Sequence, residues 1–222
     1  MHTYPAISRE EGRSFHFPEP AVWAANHEQR ANSSMPVSGH HISDEEILRL
    51  IGAPGSREEG FRALLARYQE PLYRHIRRLI WPHEDANDVL QNCLLKVYRG
   101  IDRFEGKSKL YTWLYRIATN EAITWLKQQK RRRTGSLDGE HHLQAAQLEA
   151  DPYFDGDAAQ LHLQRALSRL PDKQRAVFNL RYFEELPYRE MAAILDTSVG
   201  ALKASYHHAV KKIERYFREV KI

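Results

Sequence analysis

Apolar residues recur at intervals of three and four along most of this 222-residue chain, and no run of alternating apolar and polar residues is present. Intervals of three and four place side chains on one face of a helix, whereas alternation is typical of a strand. The helical pattern occupies residues 42–133 and 161–222, and residues 134–160 between them are mostly polar. The pattern therefore predicts an all-α fold of two small helical domains joined by a flexible acidic linker.

The first 41 residues are rich in Pro, Ser, Asn, Gly and His and show no period, which predicts a disordered extension. Met35 lies just before the first patterned segment, so Met1 and Met35 both remain open as translation starts. The chain has no apolar signal core near its start and no apolar run of the roughly 18–20 residues that a membrane span needs. We therefore expect a cytoplasmic protein without membrane insertion. The single cysteine, Cys93, excludes an internal disulfide and a CxxC zinc site, and we expect no cofactor or metal.

The net charge of +4 hides a strong charge pattern along the chain. Residues 42–133 hold 18 Lys and Arg against 12 Asp and Glu, and residues 161–222 hold 12 against seven. Residues 134–160 hold six acids and no Lys or Arg, and residues 1–41 hold three bases against four acids. Clustered bases are typical of a protein that binds a polyanion, although Lys and Arg also favour the C-terminal ends of helices.

Four helices are predicted in the first patterned block. Ser43 caps the first, which Pro54-Gly55 ends, and the others span about 58–80, 85–100 and 110–132. In the third, two apolar stripes are predicted to face the core: Val89, Cys93, Val97 and Leu90, Leu94, Tyr98. The opposite face combines carboxylates and carboxamides with one apolar side chain, a composition found on partner-binding surfaces: Asp85, Asp88, Gln91, Asn92 and Leu95.

A loop that mixes bases and aromatic residues precedes the fourth helix. Its Gly106-Lys107-Ser108 is not a nucleotide-hydrolysing P-loop, because position 101 is Ile rather than Gly and no strand precedes it. On the fourth helix, basic and amide side chains share a side that is distinct from the core side: Arg116, Asn120, Lys127 and Lys130. Such side chains near exposed aromatic rings suit single-stranded nucleic acid. The alternative is that Trp113 and Tyr115 are core residues, which we expect of Trp113.

The second block contains a helix over 188–195, a three-residue turn, and a helix from Val199 onward that Ser198 caps. Ala192 and Ala193 are expected to let these helices approach closely, which gives helix-turn-helix spacing. The second helix of such a unit enters the major groove, and its candidate contacts are Ser198, Gly200, Ala201, Lys203, Ala204, Ser205, His207 and His208. The adjacent histidines also suggest a metal site, but neighbouring residues on a helix diverge by about 100° and nothing completes a ligand shell.

Two runs of this sequence resemble a known family. The first run is DANDVLQNCLLKVYRGIDRFEGKSKLYTWLYRIATNEAITWLKQQKRR. It resembles region 2 of bacterial sigma factors of the extracytoplasmic-function (ECF) group, in the sigma-70 family. The second run is ALSRLPDKQRAVFNLRYFEELPYREMAAILDTSVGALKASYHHAVKKIERYF. It resembles region 4 of the same group. The resemblance implies four parts: the extension 1–41, region 2 over 42–133, the linker 134–160 and region 4 over 161–222.

The resemblance also implies roles for these parts. The face of Asp85, Asp88, Gln91, Asn92 and Leu95 would dock on the clamp coiled coil of the largest RNA polymerase subunit, and region 4 would meet the flap of the second-largest subunit. Region 2 would capture a flipped base of the −10 promoter strand and open the duplex, through Phe104, Lys107, Ser108, Lys109, Tyr111, Arg116, Asn120, Lys127 and Lys130. Region 4 would read the −35 element, with Ser205 and His208 where the family often has Arg and Asp196 in place of a turn Gly.

We therefore expect a sigma factor that binds core polymerase and promoter DNA and has no catalytic centre. An anti-sigma factor is a further candidate partner. One alternative is a stand-alone helix-turn-helix regulator, which would leave the amide-rich face of residues 85–96 without a role. The other alternative is an enzyme that acts on nucleic acid, but no carboxylate cluster or acid–base pair lies at a suitable spacing.

Overall fold

A computed structural model describes residues 42–132 and 158–220. We call these ranges the N-terminal module and the C-terminal module. The first contains α1 Asp44–Gly52, α2 Arg57–Arg77, α3 His83–Gly100, a 3₁₀ turn Ile101–Arg103 and α4 Leu110–Arg132. The second contains α5 Ala158–Ser168, α6 Asp172–Tyr182, α7 Tyr188–Leu195 and α8 Val199–Glu219. The two ranges contain no strand, so the predicted all-α fold is confirmed.

Several expectations lie outside the described residues. These are the extension 1–41 with its possible start at Met35, and residues 133–157, which make up most of the predicted linker. Helix α5 begins at Ala158, so the last three residues assigned to the linker, 158–160, are helical. Alanine is the strongest helix former, and the pair Ala158-Ala159 starts the helix earlier than the apolar pattern predicts.

The beginning of α1 follows from its capping residue. Ser43 Oγ accepts a hydrogen bond from the Glu46 backbone N–H at 3.2 Å, which satisfies one of the donors that a helix start leaves unpaired. The Glu46 carboxylate binds Arg49 at 2.6 Å. Helices α1 and α2 then pack closely, because Gly60 of α2 presents no side chain to the backbone of Ile51.

The end of α2 differs from the prediction of Ile80. The helix ends at Arg77, and the amides of Leu79 and Ile80 both donate to the Ile76 carbonyl, at 2.9 and 2.8 Å. These two residues and Trp81 are buried, so the chain leaves the helical path in order to turn apolar side chains into the core. Helix α3 accordingly starts at His83 directly after Pro82, two residues before the predicted start.

The core side of α3 is mostly as predicted. Val89, Cys93 and Val97 are buried, and burial raises the pKa of the Cys93 thiol to about 12. The second predicted stripe is buried only at its start. Tyr98 is 41 % exposed, because its ring lies edge-to-face against Phe61 at the rim of the module, 4.9 Å between centroids.

The helix-turn-helix geometry of α7 and α8 is present. Asp196 ends α7 in the left-handed conformation with φ of 48°, which Asp adopts more readily than most residues. Ser198 caps α8, and its Oγ accepts from the Ala201 N–H at 3.2 Å. The expected close approach through both alanines is wrong for Ala193, which is exposed; only Ala192 packs against the core.

The two modules are in direct contact, which the prediction of two tethered domains did not include. Helix α4 packs against α6 and α7. One continuous cluster of buried apolar residues extends from the N-terminal module to Val177, Leu180 and Met191 of the C-terminal module. None of the helices in the described ranges is both long and apolar enough to cross a membrane.

Candidate nucleic-acid interface

The predicted partner-binding face of α3 is on the surface. Asp88, Gln91, Asn92 and Leu95 are exposed, and Asp85 is half-buried. Leu95 is 51 % exposed, the most exposed large apolar residue of the described ranges. A large apolar side chain surrounded by exposed polar ones is what the centre of a protein–protein contact requires before its partner arrives.

The loop between α3 and α4 is fixed at its ends and exposed at its tip. Phe104 packs on Trp113 with 5.5 Å between ring centroids, and Arg57 binds Asp102 at the start of the loop. Gly106 has φ of 68°, a conformation that glycine adopts without strain. Lys107 is highly exposed. A fixed aromatic pair beside exposed bases is compatible with stacking of an unpaired nucleotide.

Some of the polar residues predicted to contact DNA on α4 and just before it are exposed, whereas others form ion pairs. Arg116, Asn120 and Lys127 are exposed. Two predicted DNA contacts instead pair with carboxylates of the C-terminal module. Lys109 lies 3.1 Å from Glu190; Lys130 lies 3.1 Å from both carboxylate oxygens of Asp172. Of the remaining predicted residues here, Ser108 and Tyr111 are half-buried. Tyr115 is buried, whereas Trp113, for which core packing is expected, is only half-buried.

The first turns of α8 present the predicted major-groove residues to solvent. Ser205 is half-buried, and the others are exposed: Ser198, Gly200, Ala201, Lys203, Ala204, His207 and His208. The Lys203 ammonium lies 5.9 Å from the centroid of the Tyr188 ring of α7, which steadies a long side chain on the surface. The two histidine rings are 6.0 Å apart, and no group of three or more metal-ligating side chains occurs in the described residues.

A polar cluster that the sequence did not predict lies between the modules. The Glu184 carboxylate of the C-terminal module accepts hydrogen bonds from Arg78 at 2.5 Å and from Tyr115 Oη at 3.0 Å. Burial by itself raises the pKa of Glu184, but the neighbouring His75, Arg78 and Tyr115 outweigh it and hold this pKa below its ordinary value. Glu184 is therefore a buried carboxylate that stays ionised and joins the modules.

The second layer of this cluster fixes the His75 ring. Thr119 Oγ1 donates to the Tyr115 carbonyl at 2.7 Å, so it accepts from His75 Nε2 at 2.9 Å because a hydroxyl has one proton to give. His75 Nδ1 then faces Glu184 Oε1 at 3.7 Å. The residues 78 and 184 are 106 positions apart, and no local pattern in the sequence indicates that they meet.

The rest of the contact between the modules is imperfectly paired. Asn179 Nδ2 donates to the Arg78 carbonyl at 3.3 Å, and the Arg175 guanidinium lies 5.5 Å from the centroid of the Trp81 ring. Buried atoms without a hydrogen-bond partner collect here: His75 Nδ1, Trp81 Nε1, Arg175 Nε and Asn179 Oδ1. Buried polar atoms are normally paired, so this contact differs from an ordinary core.

Sequence comparisons connect both modules to one family. The profile for Sigma-70 region 2 matches residues 64–132, and the profile for Sigma-70, region 4 matches residues 160–213. The chain is 33 % identical over 173 residues to the ECF RNA polymerase sigma-E factor of Escherichia coli K12, across 71 % of this chain and 86 % of that protein. It is 29 % identical over 182 residues to the RNA polymerase sigma-H factor of Pseudomonas aeruginosa, across 78 % and 92 %.

Solved structures share the fold. The sigma factor RpoE in complex with the anti-sigma factor NepR, from Bartonella quintana, superposes with a TM-score of 0.57 and 21 % identity, over 72 % of this chain and 98 % of that one. CnrH in complex with the cytosolic domain of CnrY gives a TM-score of 0.57 and 22 % identity, over 81 % and 97 %.

Proposed function

The chain belongs to the ECF group of the sigma-70 family of bacterial RNA polymerase sigma factors, and we propose that its two modules bind separate parts of the promoter and of core polymerase. As a sigma factor it directs promoter-specific transcription initiation and is not an enzyme. The proposal adds which surface performs which task. It follows the predicted division into the extension 1–41, region 2 over 42–133, a linker and region 4, with region 4 extended to the start of α5 at Ala158.

The exposed face of α3 is proposed as the contact with the clamp coiled coil of the largest polymerase subunit. The observation that supports it is Leu95, a half-exposed leucine among the exposed polar residues Asp88, Gln91 and Asn92. Asn87 and Asn92 stand where the family usually has acids, so we expect this contact to depend more on Leu95 and hydrogen bonds than on ion pairs. Region 4 is proposed to meet the flap of the second-largest subunit.

The loop of Phe104 to Leu110 and the polar side of α4 are proposed as the −10 site. The fixed Phe104–Trp113 pair offers an aromatic surface near the loop, and Lys107 offers a charge for phosphate. Asn120 is exposed on α4, and its amide suits the edge of an extruded base. The positive charges position the strand, and the amide contributes to sequence recognition.

The beginning of α8 is proposed as the −35 site. Its exposed residues are small apart from Lys203 and the two histidines, so the helix backbone can approach the bases closely. Alanine methyl groups at 201 and 204 suit contact with a thymine methyl, and Lys203 suits a base edge or phosphate. Tethering two modest DNA contacts to one polymerase increases their combined affinity without a new contact.

An anti-sigma factor is proposed as a further partner. Of the two solved structures described above, that of RpoE is a sigma factor in complex with an anti-sigma factor. The present fold superposes on that structure over 72 % of its length. Co-purification of the full chain with proteins of its host, followed by a transcription assay with and without the captured protein, tests this partner: inhibition is expected.

The function is tested by run-off transcription with core polymerase on a template that carries the upstream region of the gene itself. A transcript that requires this protein is expected. Leu95→Ala should lower co-elution with core polymerase, whereas Val220→Ala, which also shortens an exposed apolar side chain, should not. Absence of both transcript and co-elution would contradict the proposal.

The division of labour is tested with two variants and matched controls. Lys203→Ala should weaken binding of duplex −35 DNA and reduce the salt slope of binding by about 1 if it contacts phosphate. Lys211→Ala, about two turns further along the same helix, should not. Asn120→Ala should impair promoter opening, at a cost of about 1–3 kcal/mol for a lost base contact, whereas Gln128→Ala should not. Identical defects for Lys203→Ala and Asn120→Ala would show that the division is wrong.

A further inference from the structure

The ion pairs that join the two modules share one polarity. Arg78, Lys109 and Lys130 are on the N-terminal module, and their partners Glu184, Glu190 and Asp172 are on the C-terminal module. Lys109 and Lys130 are also proposed DNA contacts, so the carboxylates take positions near these bases that DNA phosphates would otherwise take. A carboxylate and a phosphate compete for the same ammonium group.

The centre of the contact is held by Glu184. Its carboxylate binds Arg78 at 2.5 Å and Tyr115 at 3.0 Å, and it lies 3.7 Å from His75 Nδ1. The two lysine pairs are more exposed, since the side chains of Lys109 and Lys130 are 70 % and 48 % exposed. The buried cluster therefore orders the contact, and the lysine pairs add to it around the edge.

The same contact has features of one that opens. His75 Nδ1, Trp81 Nε1, Arg175 Nε and Asn179 Oδ1 are buried without partners; each would gain a water partner if the modules separated. Contacts between domains of one chain commonly permit relative motion unless they are large and well packed. The 25 residues from 133 to 157 that join the modules have a contour length of about 80 Å, which is ample for separation.

We propose that this packing is a self-inhibited state of the free protein, in which Glu190 and Asp172 of the C-terminal module occupy Lys109 and Lys130 of the −10 surface and Glu184 holds the two modules together. The protein opens when polymerase or promoter DNA competes for these surfaces. The inhibitory role rests on the proposed function of the −10 surface, whereas the closed packing itself does not.

The first experiment measures the distance between the modules by pulsed electron paramagnetic resonance. Spin labels are attached at Gln69→Cys and Lys211→Cys, both exposed, in a Cys93→Ala background. The closed state predicts a narrow distance distribution. The contact triple, which combines Asp172→Asn, Glu184→Gln and Glu190→Gln, should broaden this distance distribution toward longer distances.

A control triple matches the change in charge and keeps the contact between modules. Glu46→Gln, Glu70→Gln and Glu219→Gln remove three carboxylates that pair with Arg49, Arg74 and Arg169 inside single modules. This variant should keep the narrow distribution. Equal distributions for the two triples would overturn the proposal.

The second experiment measures binding of a fluorescent single-stranded 30-mer of mixed sequence by anisotropy, without polymerase. The contact triple should bind at least about fivefold more tightly than the control triple, because opening removes the fraction of molecules that cannot bind. Since both triples change the net charge equally, a general electrostatic gain cancels. If the contact triple separates the modules but binds the 30-mer no more tightly than the control triple does, the inhibitory role is wrong. Run-off transcription by the parent protein tests the proposed function separately.

A charge exchange keeps the test valid if the contact triple fails to fold. Glu190 and Lys109 form a partly exposed pair, so Glu190→Lys should open the modules without disturbing a core. Adding Lys109→Glu to the same chain should restore the narrow distribution. Failure of the second substitution to reverse the first would contradict a direct pair between these residues.

Discussion

Replacing Arg175 by methionine should stabilise the protein. Arg175 lies on α6 and is 2 % exposed. Its guanidinium is 3.7 Å from the Asp172 carboxylate, beyond hydrogen-bond distance, and its Nε has no hydrogen-bond partner. Asp172 has a second partner, Lys130 at 3.1 Å, so it remains paired when the arginine is removed. The substitution therefore removes a poorly paired buried charge without creating another.

The size of the effect follows from the burial of the charge. Burial lowers the pKa of Arg175 to about 10, and Asp172 restores only part of the loss. One pKa unit corresponds to about 1.4 kcal/mol, so the site disfavours the charged form by on the order of 3 kcal/mol. The variant loses a cation–π contact with Trp81, which contributes about 1–2 kcal/mol when desolvated. Methionine is unbranched and fills irregular space well, so we expect little loss of packing. The difference between the two terms is a net gain of about 1 kcal/mol in the free energy of unfolding.

Urea unfolding followed by circular dichroism measures this gain, and about 1 kcal/mol also raises Tm by roughly 2–4 °C in a protein of this size. Arg181→Met is the matched control, because Arg181 Nη1 donates to the Leu186 carbonyl at 3.0 Å and its guanidinium covers the Tyr188 ring. The control should lose about 1 kcal/mol. If Arg175→Met lowers stability as much as Arg181→Met, the argument from incomplete pairing is wrong.

Two further stability predictions follow from close contacts and from Glu184. Gly60→Ala should destabilise by about 1–3 kcal/mol, because its new Cβ would lie 2.6 Å from the Ile51 amide nitrogen; Gly200→Ala, with nothing within 4 Å, should be neutral or gain up to about 1 kcal/mol. Because the Glu184 pKa is lower in the folded protein, its stabilisation is present above the unfolded-state pKa of about 4.3 and is lost as pH falls through the folded-state value. Glu184→Gln should therefore have a lower urea midpoint than the parent at pH 6, and the difference between the midpoints should shrink as the pH falls below the unfolded-state pKa; a pH-independent difference would contradict the assignment.

The helices were predictable where local chemistry decides their ends. The predicted bounds of α7 agree with the structure to the residue, because Pro187 precedes the helix and Asp196 ends it in the left-handed conformation. The end of α2 was predicted three residues too late, since Leu79 and Ile80 continue the apolar spacing while tertiary packing turns them out of the helix. A period identifies residues that are buried, but it does not say whether they are buried by a helix face or by a turn.

The candidate surfaces were predictable in part, and for a similar reason. Polar residues opposite an apolar stripe are exposed by geometry alone, which accounts for Asn120 and Lys203. The partners of Lys109 and Lys130 lie 81 and 42 positions away, and helical spacing carries no information about such pairs. The Glu184 cluster has the same origin, because its members come from the end of α2 and the residue after it, from α4, and from the segment after α6.

Both modules have an excess of bases, so their net charges by themselves would drive them apart. The distribution of charge within the C-terminal module explains why they nevertheless pack. Its acids Asp172, Glu184 and Glu190 face the N-terminal module, while Lys203 and most of the other groups proposed for −35 DNA are exposed at the start of α8. The exposed lysine pairs weaken as salt screens them, whereas buried pairs are screened much less. The Glu184 cluster should therefore keep the modules together at salt concentrations that already weaken DNA binding, so that promoter DNA and polymerase, rather than ionic strength, decide when the protein opens.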